Sequence, residues 1–233
     1  MNRAAPDKGS LRGGVPCGTA PQPVRRHTAC RRFRSHLRSA TTMASFDLYF
    51  PQLLRFEGGF VDDPADPGGV TNRGITLATF QRDAQPVLGE APTLQALQAL
   101  TPMQAAAIYK QDYWDKLDAD QIASQPLAEI VFDFYVNAGT EAVLLLQRIL
   151  QQLGASGLAV DGEMGSATLA ALQAADPAKV YALYRQGRID YYQRLAAERP
   201  ADARFLAGWI ARAEWFPATL PSASAAAPSG DVA

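Results

Sequence analysis

From Met43 to the C-terminus this 233-residue chain contains neither a cysteine nor a histidine. Without histidine, a Ser-His-Asp nucleophile and most catalytic zinc sites are excluded at once. Without cysteine, the body uses no disulfides. Cys17 and Cys30 both fall in the first 42 residues, with no neighbouring Cys/His pair to complete a zinc site. No run approaches 18 consecutive apolar residues, so no membrane-spanning helix is expected. There is no GxxxxGK[ST] loop in the body to cradle a phosphate. Hydrophobic residues make up 48% and charged residues 19%, which rules out wholesale disorder.

The net charge of −1 conceals two unlike segments. Residues 1–42 hold nine Lys/Arg against one acid, a charge of +8; the remaining thirteen bases and twenty-two acids leave −9. An acidic body makes a nucleic-acid partner improbable for the folded part. It also disfavours long-range attraction to an anionic polymer, so recognition is expected to rest on local contacts. Residues 1–42 are rich in Arg, Pro, Gly and Ser and show no periodicity, so they cannot offset the entropy of ordering them. They lack the apolar core of a secretory signal. A basic nucleic-acid arm is one reading; a non-native extension ahead of a true start at Met43 is the favoured one. The tail, 217–233, is of low complexity and is expected to be disordered.

Between these ends the chain reads as helix after helix. Phe46, Tyr49, Phe50, Leu53 and Leu54 recur by threes and fours over 46–57. Residues 58–75 hold five glycines and two prolines and must form turns and short strands. Thr101-Pro102-Met103-Gln104 is a capping box that opens a helix running towards Trp114. An apolar helix over 127–138 ends at Gly139, Thr140 is placed to cap a helix over 141–153, and Asp176-Pro177 opens a long one that Pro200 stops. The fold class is mainly α with a small Gly-rich β-hairpin.

The densest set of special residues is Glu57-Gly58-Gly59-Phe60, followed by Asp62, Asp63, Asp66, Thr71 and Gly74. A carboxyl group at the end of an apolar helix, beside aromatic rings and facing a glycine-rich hairpin, is suited to general-acid work, because burial would raise its pKa. A helix-ending Glu with a glycine cap and a solvated acidic loop is the plainer alternative. Glu129, Asp133 and Asn137 repeat at i, i+4, i+8 and form one polar stripe, facing either a cleft or water. Tyr113 and Trp114 could stack on sugar rings or lie in the core; Trp209 is read as packing between domains.

The string FEGGFVDDPADPGGVTNRGIT resembles the signature of the glycoside hydrolase family 108 muramidases, lysozyme-like enzymes that cut the glycan of peptidoglycan. The likeness continues through Tyr113-Trp114-Asp115 and the segment Phe132 to Gly139, then into VDGEMGSAT at 160–168, which resembles a motif of wall-binding modules. The resemblance implies a lysozyme-like catalytic domain over 43–139 and a peptidoglycan-binding helical module over 140–216. It carries the catalytic glutamate of the EGG motif onto Glu57. Asp66 lies nine positions after Glu57, the interval found in phage-type lysozymes; their following Thr would fall on position 72, which here is Asn, with Thr71 one short. Asp66 and Thr71 are therefore the secondary catalytic candidates, and Asn137, Asp133, Tyr113 and Trp114 the substrate-binding ones.

The resemblance implies a lysozyme that hydrolyses the β-1,4 bond between N-acetylmuramic acid and N-acetylglucosamine, a monomer needing no cofactor or metal. A lytic transglycosylase and a non-catalytic wall-binding protein are the alternatives. The expected partner is the glycan strand, with no nucleic acid and no stable membrane insertion. The protein would be made in the cytoplasm and reach the wall through a holin, as a phage endolysin does, or through a secretion system. In the C-terminal module Asp161 and Gly162 are expected to make a turn, Gly165 to permit close backbone approach, and Thr168 to open or cap a helix. No flexible linker separates the two halves, so tight docking is expected.

Overall fold

The computed structural model describes residues 43–62 and 69–221. The segment 1–42, Asp66 and all of the C-terminal tail after residue 221 lie outside the described residues. Helix α1 (Phe46–Glu57) buries Phe46, Tyr49, Phe50 and Leu53, the stripe that the spacing predicts. It stops at Gly58, whose φ of 72° an L side chain would resist, and this leaves Glu57 as its last residue.

The glycine-rich stretch forms a three-stranded antiparallel sheet, one strand more than a hairpin: β1 (Phe60–Val61), β2 (Thr71–Asn72) and β3 (Ile75–Thr76). The β2–β3 turn is Arg73-Gly74, both at positive φ (53° and 73°), so it is a tight mirror-image turn that matches the twist of its strands. The sheet is pinned by Asn72, buried, whose Nδ2 donates to the carbonyls of Leu97 (2.8 Å) and Gln98 (3.1 Å). Those carbonyls belong to helix α3 (Leu94–Gln98).

Helix α2 (Leu77–Asp83) is capped by the Thr76 hydroxyl, and α4 (Pro102–Tyr109) opens with the expected capping box. Each runs on into a wider π-helical turn, Ala84–Leu88 and Lys110–Trp114. The second of these carries Trp114 into the core at 0% exposure. Its ring packs 5.7 Å from Phe46 and 5.2 Å from Phe132, and its indole N–H donates to Asp120. A sugar-stacking role for Trp114 is thereby overturned: no face of its ring reaches solvent.

Helix α5 (Gln125–Ala138) is the central element, with Leu127, Ala128, Ile130, Val131, Phe132, Asp133 and Phe134 all buried. Helices α6 (Glu141–Gln152) and α8 (Pro177–Glu198) pack on it, followed by α9 (Leu206–Trp215). Thr140 takes helical dihedrals and makes no capping bond, so it does not cap α6. Asp176 does cap α8, accepting from the amide of Ala178 at 2.9 Å. The Tyr184 hydroxyl donates to the Ala142 carbonyl at 3.0 Å, and at Gly187 a Cβ would stand 2.8 Å from Leu145, so α6 and α8 cross closely.

The VDGEMGSAT loop is organised by Gln147 of α6. Its Nε2 donates to Asp161 Oδ1 (2.7 Å), the Glu163 carbonyl (3.0 Å) and Thr168 Oγ1 (3.1 Å), while its Oε1 accepts from the Gly162 amide (2.9 Å). Gly162 has φ 79° and the Asp161 carboxylate accepts from the Glu163 amide, which makes the expected turn. Helix α7 (Ser166–Ala174) starts from Gly165 as its cap, so Thr168 lies buried in the first turn and does not open the helix. Truncating Gln147 removes four bonds and strands a buried amide. Gln147→Ala is expected to lower unfolding stability by about 2–4 kcal/mol, read from urea denaturation; a change below about 0.5 kcal/mol would show that the loop holds itself.

Candidate active site

Glu57 ends α1 with 16% of its side chain exposed, opposite the Arg73-Gly74 turn. At Gly74 a methyl group would overlap both Glu57 Oε2 and the Tyr109 hydroxyl. The glycine therefore lets the hairpin backbone lie directly on the carboxyl group. Tyr109, buried, donates through its hydroxyl to the Arg73 carbonyl at 3.0 Å and locks the turn in that place. Burial and the adjacent charge of Glu57 both hold the Tyr109 phenol neutral, as the donor this bond requires.

The other Glu57 oxygen is held from the far end of the chain. Arg212 of α9 donates through Nη2 to Glu57 Oε1 at 2.8 Å. The same guanidinium makes a fork on Asp133, with Nε to Oδ1 and Oδ2 at 3.1 and 3.0 Å and Nη2 to Oδ1 at 2.9 Å. Its carbon lies 4.8 Å from the centre of the Phe56 ring, so an aromatic face covers it. The Asn137 carboxamide oxygen accepts from Nη1 and Nη2 at 3.2 and 3.1 Å in the orientation that satisfies both groups.

Asp133 is completely buried. Arg188 Nη2 donates to its Oδ2 at 2.6 Å and the Tyr49 hydroxyl to its Oδ1 at 2.7 Å. Burial pushes the Asp133 pKa up, but the charges of Arg188 and Arg212 outweigh it and hold the group below the usual carboxylate range. The expectation of a glycan contact at Asp133 is corrected accordingly: both oxygens are taken and no solvent reaches them. The polar stripe on α5 divides into three environments. Glu129 accepts from Gln125, Asp133 is locked in the core, and only Asn137 is exposed, at the edge of the Arg212 guanidinium.

For Glu57 the balance runs the other way. Burial raises its pKa above the ordinary glutamate value, the Arg212 charge and hydrogen bond oppose that rise, and the Asp133 charge reinforces it. The net shift is upward. A carboxyl group so placed keeps its proton at higher pH than a free glutamate and can hand it to a bound molecule.

Tyr113 is half-buried, its ring 5.5 Å from Tyr109 and 6.1 Å from Tyr135, so it joins the aromatic wall next to Glu57. Thr71 lies on β2 in the same hairpin as Gly74, paired with Val61 and Thr76. Arg212, Arg188, Tyr49 and Tyr109 escaped the reading of the sequence. Their types were visible, but nothing in their spacing ties positions 49, 109, 188 and 212 to Glu57 or Asp133.

Arg212 favours the ionised form of Glu57, so its removal should raise the glutamate pKa further. In the Arg212→Gln variant the Glu57 carboxyl carbon is expected to titrate at a higher pH than in the parent, by 13C NMR on the labelled protein. An equal or lower midpoint would mean that the guanidinium does not control the proton.

Two family models match the chain: Glycosyl hydrolase 108 over residues 50–139, and Predicted Peptidoglycan domain over residues 141–214. The solved structure of Brucella abortus SagA is similar at 28% identity, with a TM-score of 0.54, covering 73% of this chain and 94% of that one. No curated protein matches it. Residues 50–139 thus match glycosyl hydrolase 108 and residues 141–214 a predicted peptidoglycan domain, which together support a glycoside hydrolase that acts on peptidoglycan.

Proposed function

We propose that the protein is an N-acetylmuramidase that hydrolyses the β-1,4 bond between N-acetylmuramic acid and N-acetylglucosamine, with Glu57 as the general acid. The observation that carries this reading is the Glu57 carboxyl group itself. It is mostly buried, its pKa is raised, one oxygen is anchored by Arg212, and a glycine-rich hairpin is pressed against the other. Anchoring Oε1 leaves Oε2 to carry the proton.

In the reaction, that proton passes to the bridging oxygen as the C1–O bond breaks, and the leaving sugar departs as an alcohol. Water then adds at C1, and its proton restores the acid. The candidates to position that water are the Thr71 hydroxyl, on β2, and the Asp66 carboxylate, named by its interval from Glu57 in the sequence. Asn137, at the Arg212 guanidinium, and Tyr113, against Tyr109, are the candidate contacts for the sugar. An endolysin-like route to the wall, through a holin or a secretion system, fits a substrate that lies beyond the cytoplasmic membrane. Among the described residues no helix is long and apolar enough to cross a membrane.

Replacing the acid by its neutral isostere removes the transferable proton. Glu57→Gln is expected to clear a wall suspension about 10²–10⁴-fold more slowly, with wild-type products ending in a reducing N-acetylmuramic acid by mass spectrometry. Anhydromuramic ends would assign transglycosylation in place of hydrolysis, and undiminished clearing would remove Glu57 from the mechanism. Gly74→Ala tests the hairpin contact. Its Cβ cannot be accommodated without moving Glu57 or Tyr109, and a displacement of about 1 Å should lower turnover about 10²-fold. Turnover within about twofold of wild type would show that the carboxyl position is not set by the turn.

A further inference from the structure

Outside the Glu57 site, the described residues form a pocket of about 500 Å³ between α6 and α8. One wall comes from α8, where Tyr191, Arg194 and Glu198 follow each other at i, i+3 and i+7 and so share a face, with Arg199 just past the end of the helix. The opposite wall comes from α6, where Glu141 and Arg148 stand two turns apart. Two leucines complete the lining. The Tyr191 ring is held in place by edge contacts with Phe134 at 5.2 Å and Tyr192 at 5.5 Å.

The charge of this pocket is out of keeping with the rest of the body. Three of the thirteen Lys/Arg that follow Met43 converge on it, in a segment whose net charge is −9. Among the described residues, Arg82, Lys110, Lys116, Arg188 and Arg212 are all engaged in ion pairs. Among the described residues Arg148, Arg194 and Arg199 are in no ion pair, a state they share with Arg55, Arg73, Lys179, Arg185 and Arg204; what sets the three apart is that they gather on one concavity beside Glu141 and Glu198. Guanidinium forks match carboxylates in geometry as well as charge. The two glutamates argue against a phosphate polymer, which they would repel, and suit a ligand that carries an ammonium group beside its carboxylates.

We propose that this pocket binds the stem peptide of peptidoglycan, with the peptide carboxylates on Arg148, Arg194 and Arg199 and the amine of its diamino acid on Glu141 and Glu198. The inference rests on the wall-hydrolase reading and adds to it a peptide contact separate from the glycan site. The Tyr191 ring and the two leucines form an apolar floor for the alanine methyl groups of the stem. The segment matched by the peptidoglycan-domain model thereby acquires a ligand-binding face made by two helices, while its VDGEMGSAT loop serves the fold through Gln147.

The test uses the full chain carrying Glu57→Gln, so that walls stay intact. Binding of the free stem tripeptide alanyl-glutamyl-diaminopimelate is measured by calorimetry, and binding to sacculi is measured before and after an amidase strips their peptides. The parent is expected to bind the tripeptide and to prefer intact over stripped sacculi about tenfold. Arg194→Gln with Arg199→Gln should weaken tripeptide binding about tenfold or more and abolish the preference, and Arg148→Gln alone should weaken it in the same direction. Arg194→Lys with Arg199→Lys, which keeps the charge and loses the fork, should restore only part of the affinity. Equal binding of intact and stripped sacculi by the parent, equal tripeptide affinity in parent and variants, or displacement of the tripeptide by equimolar inorganic phosphate would each overturn the pocket. Sugar release by the Glu57-containing protein without tripeptide binding would refute the pocket and leave hydrolysis standing. Tripeptide binding without sugar release would sustain the pocket and refute hydrolysis.

Discussion

The carboxylate of Asp133 sits with no solvent exposure between two guanidiniums, and the arrangement of the helices follows from satisfying it. A lone buried carboxylate would cost several kcal/mol and would take up a proton instead. Here it receives hydrogen bonds from α1 through Tyr49, from α8 through Arg188 and from α9 through Arg212. Arg188 is itself fully buried, and its guanidinium carbon lies 5.2–5.7 Å from the centres of the Phe134, Tyr192 and Phe216 rings. Two of its nitrogens, Nε and Nη1, find no hydrogen-bond acceptor among the described residues. The aromatic faces around them supply the negative potential that acceptors would otherwise provide. With Glu57 ionised the four charges sum to zero; with Glu57 carrying its proton one net positive charge remains, and it lies on guanidiniums faced by the aromatic rings. Removing any one of them would leave an uncompensated charge in the core, so the network restricts how α1, α5, α8 and α9 can be placed.

The same network joins the two segments that the family models separate. Glu57 and Asp133 lie in the hydrolase segment, Arg188 and Arg212 in the peptidoglycan-domain segment. Arg212 is 155 positions from the glutamate it holds. A hydrolase segment alone would present Glu57 without its cation, with a pKa set by burial and by the Asp133 charge. The C-terminal helices thus act on the chemistry of the acid in addition to any contact with the wall. Tyr192 stacks on Trp209 at 5.3 Å, which packs α8 and α9 against each other one turn from each arginine.

Much of the helical layout was legible before any coordinates. The stripe Phe46, Tyr49, Phe50 and Leu53, the capping box at Thr101 and Gln104, and the Asp176-Pro177 start each rest on contacts within a few residues, where spacing and side-chain chemistry suffice. Glu57 was legible for the same reason, through the glycine that ends its helix and the hairpin that follows. Asp133 was misread because an i, i+4, i+8 stripe reports which residues share a face and says nothing of what covers it. The covering groups come from α1, α8 and α9, far away in sequence. For Trp114 the sequence leaves sugar stacking and core packing both open, because an indole at a helix end suits either; the π turn at Lys110–Trp114 and the Phe46 and Phe132 rings put it in the core. Thr140 looked like a cap by residue type, yet its helical dihedrals leave its hydroxyl without that role.

Helix α8 carries the consequence furthest. Its Arg188 and Tyr192 reach inward to Asp133 and Trp209, while Tyr191, Arg194 and Glu198 belong to the pocket shared with α6. Tyr191 is in edge contact with Phe134, the residue immediately after Asp133. Any displacement of α8 at the pocket is therefore resisted by packed aromatic rings and by a buried ion pair. Both favour discrete arrangements over gradual deformation, since a close-packed core has little free volume to absorb a shift. Gly187, one turn before Tyr191, sets the crossing of α8 against Leu145 and removes the slack that a larger separation would leave. Arg188 of α8 holds Asp133, and Asp133 in turn shares the Arg212 guanidinium with Glu57, so the helix that lines the pocket is tied to the acid through one buried ion-pair network.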